Sequence, residues 1–314
     1  MKNTFNFSGF LMLVSALLIM NSCVKQGDKQ NENQSSSDVF HLTDTLVRPY
    51  ENPKITEFKA FVEQLDSSDM TSAVKAADKY KEIFSAQPAL LCDSGFVVFQ
   101  ALYDSLEQNL STKHQNDTTN YEPLLYNEQA SVPQNLKDYR KNLQQNGFKI
   151  SASEGVTYIE QDRSFIARNF YALVTPAMKS YLSELQKENK EGFAIDGAIS
   201  ISPRQLVDRT VWYEKFMSEN PDFVFKENCK NYQKAYLTYL VSGYQNTSLY
   251  ADEAAKELSD FYVNAYNYLA SKFSDTQLAQ MVAPYYEALK LKQTDKALAL
   301  HKDFVIKGKI YNLK

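Results

Sequence analysis

The chain has 314 residues, 44% hydrophobic and 23% charged, with 34 Lys and Arg against 38 Asp and Glu for a net charge of −4. This balance is mildly acidic and dispersed, and no run of Lys or Arg is long enough for a nucleic-acid footprint, which excludes that class of partner. The three histidines (His41, His114, His301) stand far apart with no paired-His zinc motif. There is no Gly-rich phosphate loop, dinucleotide fingerprint or Gly-x-Ser-x-Gly elbow, so the sequence predicts neither a metal nor a cofactor.

Residues 10–20, FLMLVSALLIM, fall short of the roughly 20 apolar residues that a membrane-spanning helix needs. With Lys2 ahead and Ser22 behind, they have the n-region, apolar h-region and small-residue cut site of a secretory signal. The junction Met20-Asn21-Ser22-Cys23 resembles the lipobox of bacterial lipoproteins, with Met20 in the usual Leu position and Asn21 where a small residue is usual. The resemblance implies removal of residues 1–22 and acylation, of the palmitate kind, on Cys23 and its new amino terminus. Several acyl chains anchor firmly where one binds marginally. Val24 follows the cysteine in place of Asp, which for such lipoproteins implies the outer membrane of a Gram-negative cell. A secretory signal with a chance cysteine, or an uncleaved short anchor, are the alternatives. Removing residues 1–22 takes away one charge, Lys2.

Residues 24–38, VKQGDKQNENQSSSD, hold no aromatic residue and too little apolar area to fold. The segment 23–38 is expected to be a disordered polar tether, about 20 Å across as a random coil. Residues 39–314 are left as the folded body.

From there the apolar spacing is helical nearly throughout, which predicts a mostly α protein: an irregular multi-helix bundle or stacked helical hairpins. A first helical unit is expected over about 54–110. Pro88, Pro133 and Thr175-Pro176 mark further starts or kinks, and Gly147 reads as a helix stop. The polar stretch 111–132 reads as a long loop or a sub-boundary. Residues 148–161, FKISASEGVTYIEQ, alternate as a small β-hairpin would, and FAIDGAISI at 193–201 is a second extended piece that could pair with the first. Ser202, Pro203 and Gln205 form a capping box with Pro at the first helical position. Leu206, Thr210, Tyr213 and Met217 then follow on one face. A single apolar stripe of Ala254, Leu258, Phe261, Ala265 and Leu269 predicts a helix over 252–273. KAYLTYL (234–240) and NAYNYLA (264–270) echo each other at a solenoid-like period, or as chance similarity between Tyr-rich helices.

If 154–162 is a strand, Glu154, Tyr158, Glu160 and Asp162 share one face. Carboxylates beside a ring could bind a divalent cation, or act as acid and base on a sugar. The plainer reading is a solvated face, with Asp162 capping a helix that begins at Arg163. Eleven of the 21 tyrosines fall between Tyr213 and Tyr286. They suit protein interfaces or sugar stacking, yet Tyr232, Tyr236 and Tyr239, like Tyr262 and Tyr266, have the spacing of core stripes. Cys92 and Cys229 read as a disulfide or as two core thiols. The function expected is that of a lipid-anchored envelope protein, an interaction or scaffold module without catalysis that meets a second envelope protein. The alternatives are a glycan- or peptide-binding lipoprotein and, third, a hydrolase using Glu154, Glu160 or Asp162.

Overall fold

Prolines and polar caps set most of the helix starts. The structure, a computed structural model, describes residues 52–125, 132–153 and 156–313; the expected signal, Cys23, the polar tether and Glu154 lie outside them. Asn52 accepts the Lys54 N–H at 2.9 Å and Pro53 opens α1 (Pro53–Val62). After α2 (Thr71–Phe84), Pro88 precedes the 27-residue α3 (Ala89–Gln115). Pro133 precedes α4 (Gln134–Gln145), and the chain reverses at Gly147, whose φ of +89° suits a residue without a Cβ. The strands β1 (Phe148–Ser153) and β2 (Val156–Gln161) then pair antiparallel, Phe148 opposite Gln161. α5 (Arg163–Phe170) and α6 (Pro176–Glu191) follow, the latter capped by Thr175, which Asp93 of α3 holds through two hydrogen bonds of 2.6 and 2.9 Å.

The second half is built on α7 (Pro203–Glu219), where both hydrogen bonds of the Ser202–Gln205 capping box are made. α8 (Lys226–Ser242) and α9 (Asp260–Lys272) both pack on α7; α10 (Gln277–Lys290) packs on α9, and α11 (Thr294–Ile306) on α10. The protein is mostly α: eleven α-helices and three two-stranded antiparallel sheets among the described residues. One buried cluster runs from Ile55 to Ile310, with a satellite of Tyr121, Leu124, Val132 and Leu136 beneath the loop after α3. At its N-terminal end Phe99 and Phe170 rings lie 4.4 Å apart, with Phe96 and Tyr80 against the latter. Each such ring contributes about 1.5–3 kcal/mol by leaving water.

The tyrosine content has a structural use. Tyr266 and Tyr285 are buried and donate to the carbonyls of Leu240 and Val241 at 2.8 and 2.7 Å. Those carbonyls belong to the last turn of α8, where no helical N–H reaches them. Tyr80 likewise donates to Cys92 O at 2.8 Å. Cys92 and Cys229 are buried and unpaired.

Three expectations need correction. The piece at 193–201 does not pair with the first hairpin. It closes on itself as β3 (Ala194–Ile195) and β4 (Ala198–Ile199), because Asp196 and Gly197 both adopt positive φ and make the two-residue Asp-Gly turn that favours a local hairpin. The helix expected from 252 begins at Asp260. Residues 250–258 instead form β5 (Tyr250–Asp252) and β6 (Glu257–Leu258), with Lys256 at φ 51° in the turn. And α3 does not end near 110: Ser111 and His114 are buried against β2, the Ser111 hydroxyl donating to Ile159 O at 2.8 Å and His114 Nε2 lying 2.8 Å from Thr157 Oγ1. No helix among the described residues is long and apolar enough to cross a membrane.

Candidate functional site

β2 divides its side chains between two environments. On the face carrying Tyr158, Glu160 and Asp162, both carboxylates have a local task. Glu160 pairs with Lys149 at 3.2 Å and accepts from Ser151 and Asn189. Asp162 caps α5, accepting from Ser164 N at 2.9 Å and Ser164 Oγ at 2.6 Å. Tyr158 is half-buried, with its pKa pushed up to about 12 by burial.

The other parity meets α3, where charge is concentrated. α3 presents Gln100, Asp104 and Glu107 along one stripe. Asp104 Oδ1 accepts from Gln100 Nε2 at 2.6 Å and Gln161 Nε2 at 2.8 Å, and the Gln161 N–H reaches Glu107 Oε1 at 3.4 Å. Arg163, first residue of α5, brings a cation to the same place. A narrow cleft of about 50 Å³ opens beside it, walled by Gln100 and Asp104 of α3, Tyr181 of α6, and Asn228 and Tyr232 of α8. Tyr158, Glu160 and Asp162 do not line this cleft.

Burial governs the titration here. It pushes Glu107 up to about 7, with the Arg163 charge pulling the other way and Asp104 adding to the rise. Asp104 is also raised by burial, against the two glutamine donors. For Arg163, burial acts to lower the pKa, but Tyr232 and the two carboxyls more than offset it and the guanidinium stays charged.

Two further groups lie elsewhere in the core. Glu188 of α6 accepts from Tyr236 and Tyr213, while Arg209, 1% exposed, donates to Glu191 at 2.9 Å and to Gly192 O at 2.9 Å. This network ties the end of α6 and the start of the β3–β4 hairpin to α7. Ser242 Oγ and His301 Nε2 lie 2.8 Å apart, a nucleophile–base separation, and burial lowers the histidine pKa. The pair does not line the cleft between α3, α6 and α8. Burial pushes the Cys229 thiol up to about 12 and raises that of Cys92, which leaves both unreactive at neutral pH. No group of three or more His, Cys, Asp or Glu among the described residues is placed to hold a metal ion.

Sequence reading passed over Asp104, Glu107, Arg163, Glu188 and Arg209. The signal was a polar residue breaking an apolar stripe: Asp104 and Glu107 beside Phe96, Phe99, Tyr103 and Leu106, and Gln161 on the same parity as Ile159. Compared with known protein families, curated proteins and solved structures, the chain matches none.

Proposed function

We propose that this chain is a lipid-anchored envelope protein acting as an interaction module. The apolar run ending at Cys23 and the polar segment after it support the anchor, and no helix among the described residues is long and apolar enough to cross a membrane. The observation that carries the interaction reading lies at the far end. Of eight exposed large apolar side chains among the described residues, four (Leu291, Leu298, Ile306 and Leu313) fall within residues 291–313. Leu298 and Ile306 are 50% and 83% exposed on α11, the last helix. Exposed apolar side chains recurring within one short stretch of chain, among lysines, suit a protein partner.

Capture of a glycan or peptide in an enclosed groove has less support. Ligand pockets are commonly about 300–1,000 Å³, against about 50 Å³ for the cleft, and the void of about 520 Å³ along residues 292–296 is an open depression lined by one loop rather than an enclosed groove. The test is crosslinking in the envelope with the full chain and with Leu298→Asp, Ile306→Asp. The expected result is a reproducible crosslinked protein lost in the double variant, whose circular dichroism is unchanged. Identical crosslinks in both, or none in either, contradict the reading.

A further inference from the structure

We propose that the cleft between α3, α6 and α8 is a carboxylate-binding site with the Arg163 guanidinium as its counter-ion. This goes beyond the interaction reading and does not depend on it.

Around one void of about 50 Å³ stand polar groups without protein partners. The Arg163 side chain makes no hydrogen bond and no ion pair within 4 Å among the described residues, although Glu107 and Asp104 lie near enough to act on its charge. The Tyr181 and Tyr232 hydroxyls and the Asn228 amide are likewise without hydrogen bonds to the described protein. Gln100 Oε1 is buried with no partner. Only that oxygen is wholly out of solvent; Arg163, Asn228 and Tyr232 are half-buried and, with the Tyr181 hydroxyl, keep open donors at the cleft that an occupant would take up.

The inventory selects its chemistry. A guanidinium offers five N–H donors, an amide two and each phenol one; against them stand the acceptors Gln100 Oε1 and the Asp104 carboxylate, so donors around a fixed cation outnumber acceptors and favour an anion. Size narrows it: a water takes about 30 Å³ of liquid and benzene needs a cavity of about 150 Å³, so the void admits two waters or one carboxylate head. The planar carboxylate matches the guanidinium fork in a bidentate pair. A tetrahedral dianion is bulkier and sets twice the charge against Asp104. Phe96, Leu182, Leu185 and Phe225 supply apolar walls, which suit an organic acid over an inorganic ion.

Charge balance adds a signature. Glu107, pushed up to about 7, faces Asp104 and Tyr103 of its own helix, Glu160 of β2 and Arg163 of α5; Tyr232 of α8 faces the same cation and Asp104. An added anion raises the Glu107 pKa further, so binding takes up a proton and weakens as pH rises through 7.

The experiment is calorimetry on the detergent-solubilised full chain with propionate, propionamide and inorganic phosphate, and with one tripeptide carrying a free or an amidated C-terminus. Propionate should bind and propionamide should not. Because Arg163 offsets two half-buried carboxyls and its loss could unfold the protein, the discriminating variants are milder. Tyr232→Phe should weaken propionate about three- to tenfold, the worth of one hydrogen bond, with unchanged circular dichroism. Glu107→Gln should flatten the pH dependence between 6 and 8. Tighter binding of the free-ended tripeptide than of propionate, with the amidated form inert, supports a chain end as the source. Propionate bound with both tripeptides excluded supports a free small acid. Equal binding of propionate and propionamide, binding of the amidated tripeptide, tighter binding of phosphate, or no binding by any probe (water alone in the cleft) overturns the proposal.

Discussion

The Tyr236 hydroxyl donates to Glu188 Oε2 at 2.8 Å between α8 and α6, and Tyr213 donates to the same oxygen at 3.2 Å from α7. Three helices are thus joined at one carboxyl, whose other oxygen is buried without a partner. Burial pushes the Glu188 pKa up to about 7; the Arg209 charge and the two phenols act against that rise.

A carboxyl whose folded-state pKa is raised holds its proton more tightly in the folded chain. Its contribution to stability is complete below the unfolded value near 4.5 and is lost as pH rises through about 7. Glu107 adds a second loss over the same window. Each has a limiting slope of about 1.4 kcal/mol per pH unit. Urea unfolding at pH 5 and pH 7.5 should therefore show a smaller fall in stability for Glu188→Gln than for the parent chain. An equal fall would mean that Glu188 is ionised throughout.

Gly147 turns the chain from α4 into β1 at φ +89°, and an added Cβ would lie 2.8 Å from the Phe165 ring. Gly147→Ala should cost about 1–3 kcal/mol from the backbone alone. Thermal unfolding measures it, and a loss under 0.5 kcal/mol (well below that backbone cost) would show that the turn can rearrange.

Two helix caps and one strand carboxylate give opposed expectations. Asp162→Ala and Ser202→Ala should each cost about 1 kcal/mol as lost N-caps. Glu160→Gln breaks a half-exposed pair with Lys149 and should cost less than about 1 kcal/mol. A gain of about 1 kcal/mol or more at Glu160 would instead mean that carboxylates crowd one another there, and would return that face to the candidate sites.

Where sequence and structure agree, the cause is local. Ser202 with Gln205, the prolines at the starts of α3, α4 and α6, Gly147, and the alternation over 148–161 act within a few residues, and each appears where its chemistry places it. Disagreement arises where distant chain decides. ADEAAKELS has helical spacing, but Tyr250 pairs with Leu258 and the Leu249 carbonyl accepts the Ser259 N–H, which makes a hairpin and delays α9. The cleft was illegible for a related reason. Asp104, Arg163 and Tyr232 are separated by tens of residues and share no motif; periodicity assigns residues to faces but not faces to one another. The strand face chosen from the carboxylates of 154–162 was the parity turned away from α3, while Gln161, on the parity of Ile159, carries the hydrogen bonds to Asp104 and Glu107.

The anchor is tested most directly by the mass of the N-terminal peptide of the protein extracted from membranes. The lipid-anchored reading expects a peptide beginning at Cys23 and carrying acyl chains on its sulfur and its amino group. A peptide with a free Cys23 thiol, or one still bearing residues 1–22, would contradict it.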